Sequence, residues 1–350
     1  MNPRISAAIV VFGVTVCAGC SGAAQTSLTP VQAFAAQSHP TRAAAPRVVP
    51  GPELYVANSG NDTVTVYAAA SNRLLRTISK GIHTPYAIAF DPSGNLYVAN
   101  YIANDVTVYA PGSDRVMRTI SEGVNLPVDI AFDASGNLYV ANLFVNPTVT
   151  VYAPGSSQVL RTISDGLTTP FKLAFDGSGN LYVANAFQIE TITVYAAGTT
   201  TLLRTITQGL AQPWALAFDG DGNLYVANDS ANTVTVYAPG STSVMRTISH
   251  GLKNPSSLLF DPNGSLFVGS FGNNTVAEYA PGSRTAFRKI QKHVRLPEAI
   301  ALDANRNLYV ANGGAFNNGK VISIHAPGRK GVRRLITAGV DGPIAIAFGP

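Results

Sequence analysis

The 350-residue chain has 24 Lys or Arg against 19 Asp or Glu, a net charge of +5, with charged residues only 12% of the total beside 32 Gly and 22 Pro. So few charges with so many turn formers exclude a helical bundle, a coiled coil and a highly charged disordered chain. Both cysteines, Cys17 and Cys20, lie near the N-terminus, so the rest of the chain has no disulfide and no thiolate chemistry.

Residues 1–19 have the layout of a secretory signal, with Arg4 ahead of a largely apolar run from Ile5 to Ala18. That run is too short to cross a bilayer, and no later segment reaches the roughly 18 unbroken apolar residues a spanning helix needs. Ala18-Gly19-Cys20 resembles a bacterial lipobox, which implies cleavage before Cys20 and lipidation there, although Cys17 stands where that motif usually has Leu. Several acyl chains would give a stable anchor, which a single chain does not. Ordinary cleavage near Ala24 is the alternative and implies a secreted or periplasmic protein. Residues 20–52, rich in Ala, Pro, Ser and Thr and without apolar periodicity, read as a flexible tether.

From residue 53 to 350 one unit repeats. Leu-Tyr-Val-Ala-Asn begins at Leu54, Leu96, Leu138, Leu181, Leu224 and Leu308, with the variant Leu266-Phe267-Val268-Gly269-Ser270 between the last two. Each copy is followed by a run like Thr63-Val64-Thr65-Val66-Tyr67 and then by one like Arg76-Thr77-Ile78. All but the first are preceded by a run such as Pro85 to Asp91. Short runs of Val, Ile, Thr, Tyr and Phe between turn residues predict four antiparallel strands, A to D, in about 42 residues, the size of one propeller blade. The first unit lacks strand A, and the chain ends on a lone strand A, Pro343 to Phe348. An all-β, seven-bladed propeller results, its first blade completed by the C-terminal strand, which also removes an exposed sheet edge. Two packed sandwiches would suit the length but not the complementary missing strands.

Asp91-Pro92-Ser93-Gly94-Asn95 and its counterparts join strands A and B, with Asp starting the turn and Gly supplying the positive φ. Asp219-Gly220-Asp221-Gly222-Asn223 lacks the further ligands and distal Glu of a calcium loop, so it reads as the same hairpin turn. An Arg column (Arg76, Arg118, Arg161, Arg204, Arg246, Arg288, Arg334) falls on strand D, where charge would guard the sheet edge. Glu278 breaks a Val column and is expected to pair with Arg288, while His325 substitutes for a packing Tyr.

Pro-x-x-Ile-Ala-Phe-Asp-x-x-Gly-Asn-Leu-Tyr-Val-Ala-Asn resembles NHL repeats, and its continuation Asn-Asp-Thr-Val-Thr-Val-Tyr resembles the YVTN family of seven-bladed propellers. The resemblance implies the fold and frequent display on cell surfaces. Its function stays open, because such propellers serve as binding scaffolds, lactonases and lyases alike. Streptogramin lyases, similar in repeat, use paired histidines with a metal-holding Glu. Here His250 and His293 are not strictly equivalent in their repeats, and no Glu follows either at a matching spacing. Gluconolactonase-like enzymes set carboxylates and an Asn around a central metal; here Asp129, Lys172 and Glu298 break apolar or small columns and read as solvated loop charges. The expectation is a binding scaffold of the bacterial envelope, with no catalytic residue, metal or cofactor. A lactonase- or lyase-like site at the channel mouth is the alternative.

Two surfaces stand out. Between Arg284 and Arg334 there are 11 Lys or Arg and two acids, a basic region suited to an anionic envelope surface rather than nucleic acid, for which interleaved aromatics are missing. Twelve of the 14 tyrosines fill two packing columns; Tyr86 and Tyr101 do not, and both are read as lying in B–C or D–A loops. Phe144, Phe171, Phe187, Phe271, Phe316 and Trp214 are read there too, a patch large enough for recognition, with Asp129, Lys172 and Glu298 as polar neighbours. Some of these rings would instead cap the channel. A monomer docking an envelope protein or a small ligand there, and reaching the membrane only through its anchor, is the expected arrangement.

Overall fold

A computed structural model describes residues 52–69, 71–143, 146–313 and 319–349. The leader, Cys20, nearly all of the tether, Phe144 and Phe316 lie outside the described residues. The ring is as the repeat predicts: seven sheets of four antiparallel strands, each running A, B, C, D from the axis outward. Blade 1 is assembled from both chain ends, with strand A (Pro343–Gly349) paired to strand B (Glu53–Asn58). Blades 2 to 7 have strands A at Pro85–Phe90, Pro127–Phe132, Pro170–Phe175, Pro213–Phe218, Pro255–Phe260 and Pro297–Leu302.

The repeated residues explain themselves in packing. In strand B the Tyr of one blade meets the Phe that ends strand A of the next, edge to face, as in Tyr55–Phe90 at 4.9 Å and Tyr309–Phe348 at 5.1 Å between centroids. The second of these contacts carries the ring across its closure. Such pairs contribute about 0.5–1.5 kcal/mol each beyond the area they bury. Strand C's final Tyr is fully buried and donates its hydroxyl to a D–A loop carbonyl, Tyr109 to Lys80 and Tyr237 to Gln208. The Asn ending strand B is a clamp: Asn100 accepts from the His83 N–H at 3.0 Å and donates to Gly81 O and Thr107 Oγ1. Blade 6 has Ser270 at that position, and Asn273 donates to Gly251 O instead. At the A–B turns Asp91 Oδ1 accepts from the Ser93 and Asn95 N–H groups at 2.9 Å, with Gly94 at φ 81°.

The Arg column does not guard the edge. Arg76, Arg118, Arg204 and Arg246 fold inward over the strand-B Tyr rings and donate to their hydroxyls, as Arg118 does to Tyr97 at 2.8 Å. Arg118 and Arg246 also donate to a glycine carbonyl of the following blade. The side chain that precedes each Arg is therefore the one left outward. Glu278 and Arg288 form the expected pair, and both are buried.

His325 does occupy the Tyr column, fully buried, with its ring nitrogens 3.3 Å from Gly331 O and 3.1 Å from Ser323 Oγ. Burial pushes its pKa down from 6.5 to about 4. Between those values the unfolded chain takes up a proton that the folded chain refuses, so stability is lost as pH falls through that window. His325→Tyr should raise the melting temperature at about pH 5 and flatten this acid slope; equal melting of both proteins there would refute the assignment.

Candidate functional site

Each blade carries the same irregularity at one end of strand A. The register with strand B slips between the opening Pro and the third residue, leaving the second residue as an unpaired bulge. Bulges re-aim side chains. Here they yield a ring of seven: Tyr86, Val128, Phe171, Trp214, Ser256, Glu298 and Ile344, all 5% exposed or less. This corrects the loop assignment of Tyr86, Phe171 and Trp214, which belong to the innermost strands and plug the channel at its B–C/D–A end, here called the loop face.

The plug has two sectors. In the aromatic one, Phe171 lies 5.4 Å from Trp214 and 5.6 Å from Phe187 between centroids, and Tyr86 stacks on Tyr101 at 4.9 Å. The rings Tyr101, Phe187 and Phe271 come from B–C loops, are half-buried and pack against the same core. Phe187 is seated by Thr169, whose hydroxyl donates to its carbonyl and accepts from its N–H. The polar sector spans blades 6 and 7. Ser256 donates to Gly269 O and Pro297 O, while the buried Ser257 and Ser270 hydroxyls make no hydrogen bond. Gly269 replaces the usual Ala because a Cβ there would sit 2.3 Å from Ser257 Oγ. Glu298 is fully buried and, with Tyr101, helps burial hold the Tyr86 phenol well above its ordinary pKa.

Asp129 and Lys172 occupy the third position of strand A in adjacent blades, and they are buried rather than solvated. Their side chains meet at 2.9 Å, and the second Asp129 oxygen accepts from the Leu173 N–H at 2.8 Å. Burial raises the Asp129 pKa, with Lys172 and the N–H donors pulling it back. The pair staples blade 3 to blade 4 beside the aromatic sector. The reading of Asp129, Lys172 and Glu298 as solvated loop charges is thereby overturned: a 43-residue repeat sets the first two against each other. His250 and His293 are exposed in D–A loops. Among the described residues no three His, Cys, Asp or Glu side chains gather as metal ligands.

The loop face is built stiffly. The first N–H of each B–C loop donates to the carbonyl just before the next-paired Pro, as Tyr101 does to Thr84 and Phe271 to Asn254. Thr84, Leu126, Gln212 and Leu296 hold this corner at φ 47–50°, a left-handed conformation uncommon for such side chains, and Asn254, a residue that adopts it readily, does so at 47°. Above the plug two aliphatic side chains stand in solvent, Ile102 at 65% and Ile189 at 61% exposure. Neither was singled out by the aromatic pattern, although both lie in loops that break the repeat. Asp229, the blade 5 counterpart of Tyr101, is pushed up to about 6 by burial.

Two open depressions lie away from the axis. One of about 370 Å³ sits between blades 2 and 3, beside Asp91, Tyr97 and Arg118. One of about 400 Å³ lies on the loop face of blade 7, beside His293, Arg295 and Lys320. Neither joins the buried polar sector.

The fold defines a seven-bladed β-propeller. No family model and no curated protein matches the chain. Among solved structures it is similar to a functionally unknown protein from Desulfotomaculum acetoxidans DSM 771, with a TM-score of 0.71 and 14% identity over 85% of this chain and 98% of that one. That likeness concerns the fold alone.

Proposed function

We propose that the protein is an exported, lipid-anchored binding propeller of the bacterial envelope, with NHL/YVTN-type repeats, that docks a protein or ligand on its loop face. The observation that carries this reading is the placement of the repeat-breaking residues: aromatic rings, buried charges and exposed aliphatics gather at one end of the ring. Packing alone would accept small residues there, as Ser256 and Ala186 illustrate at equivalent positions. The buried rings Tyr86, Phe171 and Trp214 support the surface from below. Tyr101, Ile102, Phe187, Ile189 and Phe271 are the side chains a partner would touch, and a rigid apolar patch with a polar rim is how such surfaces bind. The buried bulge-position rings close the loop-face end of the ring directly beneath these side chains, which supports docking on that surface.

The test changes only the accessible layer. Ile102→Ser, Phe187→Ser and Ile189→Ser together should abolish capture of partners from an envelope extract, while the melting temperature shifts by no more than a few degrees. Recovery of the same partners by the triple variant would place the binding surface elsewhere.

A further inference from the structure

The opposite end of the ring, where the A–B and C–D turns lie, carries a second surface confined to blades 6 and 7. In blades 1 to 5 the C–D turns hold at most one unbalanced charge, as in the Ser-Asp-Arg of 113–115 or the Ser-Thr-Ser of 241–243. Blade 6 has Arg284 there, and blade 7 has Arg329, Lys330 and Arg333, all exposed. The acids of these two blades are already committed. Glu278 is buried on Arg288, Asp261 pairs with Arg306, Glu298 is buried on the axis, Asp303 accepts within its own turn, and Asp341 faces Lys320 at the other end. Among the described residues none of Arg284, Arg329, Lys330 and Arg333 forms a direct ion pair with these acids, although Arg333 donates to Asn307 Oδ1 at 2.8 Å.

Apolar surface stands next to this charge. Because the strand-D Arg folds inward, the residues on either side of it point out: Phe287, just before Arg288, is 59% exposed, and Leu335, just after Arg334 in blade 7, is 41% exposed. The two turns are held together: Arg288 Nη1 donates to Arg329 O at 2.9 Å, which sets the blade 7 turn against the strand that bears Phe287. An aromatic ring and a leucine beside four cations form a pair of signals that only one kind of surface rewards on both counts. Phosphate or carboxylate groups attract the cations, and an apolar phase just beyond them accepts the rings. Nucleic acid or an acidic polysaccharide would use the cations and leave Phe287 in water.

We infer that the turn face of blades 6 and 7 docks on anionic lipid headgroups, with Arg284, Arg329, Lys330 and Arg333 as the electrostatic contacts and Phe287 and Leu335 entering the interface. Docking there keeps the loop face turned away from the membrane and free for a partner. The inference does not depend on the loop-face reading, and it needs no acyl chain.

The experiment uses the full chain with Cys20→Ser, so that no lipid contributes, sedimented with phosphatidylcholine vesicles with and without about one third phosphatidylglycerol. At low salt the protein should partition onto the anionic vesicles about a hundredfold better than onto neutral ones, and the preference should fade at high salt. Arg329→Ser, Lys330→Ser and Arg333→Ser together should cost about a hundredfold, and Phe287→Ser about tenfold. Met117→Ser changes the same strand position in a blade without the cations and should leave binding unchanged. Equal partition onto neutral vesicles would overturn the inference, as would a triple variant that binds like its parent. A Phe287→Ser protein with undiminished vesicle binding, bound equally to heparin, would show a general polyanion surface instead.

Discussion

Removing residues 342–350 is expected to abolish the cooperative fold, seen as aggregation or as a melting temperature lower by more than about 10 °C. The deleted strand is the inner wall of blade 1, paired along the whole of Glu53–Asn58. It buries Ile344, Ala345, Ile346 and Ala347, and its Phe348 supplies the ring contact with Tyr309 of blade 7. Truncating a single buried Ile to Ala costs about 2–5 kcal/mol, and whole domains are stable by about 5–15 kcal/mol, so losing two such residues with a strand's hydrogen bonds exhausts the margin. The loss also opens blade 1 on its axial side and frees strand B as an edge, which invites intermolecular pairing. The Ser59 N–H bond to Gly342 O and the Asp341 N–H bond to Asn58 Oδ1 disappear or lose their anchorage with it. An unchanged melting curve would mean that three strands suffice for blade 1 and that closure contributes little.

How far this architecture was legible follows from which features are local. Strand alternation, the Asp–Gly turns and the missing first strand are written in consecutive residues, so the blade count and the closure could be read directly. The Glu278–Arg288 pair was legible too, because Glu278 breaks its Val column directly across from a member of the Arg column. The strand-A bulge was not. It is a slip of register between two strands, and its residue varies from Trp214 to Ser256 to Glu298 without any shared chemistry. Missing it put Tyr86, Phe171 and Trp214 in loops. The inward fold of the Arg column was hidden for a related reason, since Arg118 and its Tyr97 partner are separated by a strand and meet only across the sheet. The Asp129–Lys172 contact did leave a signal: opposite charges in the same column of consecutive repeats.

That contact carries the second large expected effect. Asp129 and Lys172 sit where blades 1, 2, 5 and 7 have Ala345, Ala87, Ala215 and Ala299, so the fold itself does not require charge at this position. Lys172→Met keeps the volume but strands a buried carboxylate, which should cost about 3–5 kcal/mol. The cost should depend on pH with a definite sign. Burial already holds the Asp129 pKa above its ordinary value, and without Lys172 it rises further. The folded variant then binds a proton that the unfolded chain releases, so its stability grows as pH falls and is lost as pH climbs through the raised pKa. Adding Asp129→Ala removes the charge, restores the residue of the other blades and leaves only the Leu173 N–H without its acceptor, a penalty of about 1–3 kcal/mol. Denaturant titrations should therefore place the double variant above Lys172→Met at neutral pH, with the gap closing in acid. A Lys172→Met protein as stable as the double variant at neutral pH would mean that water reaches Asp129, and that the inner wall between blades 3 and 4 is open to solvent rather than sealed by the pair.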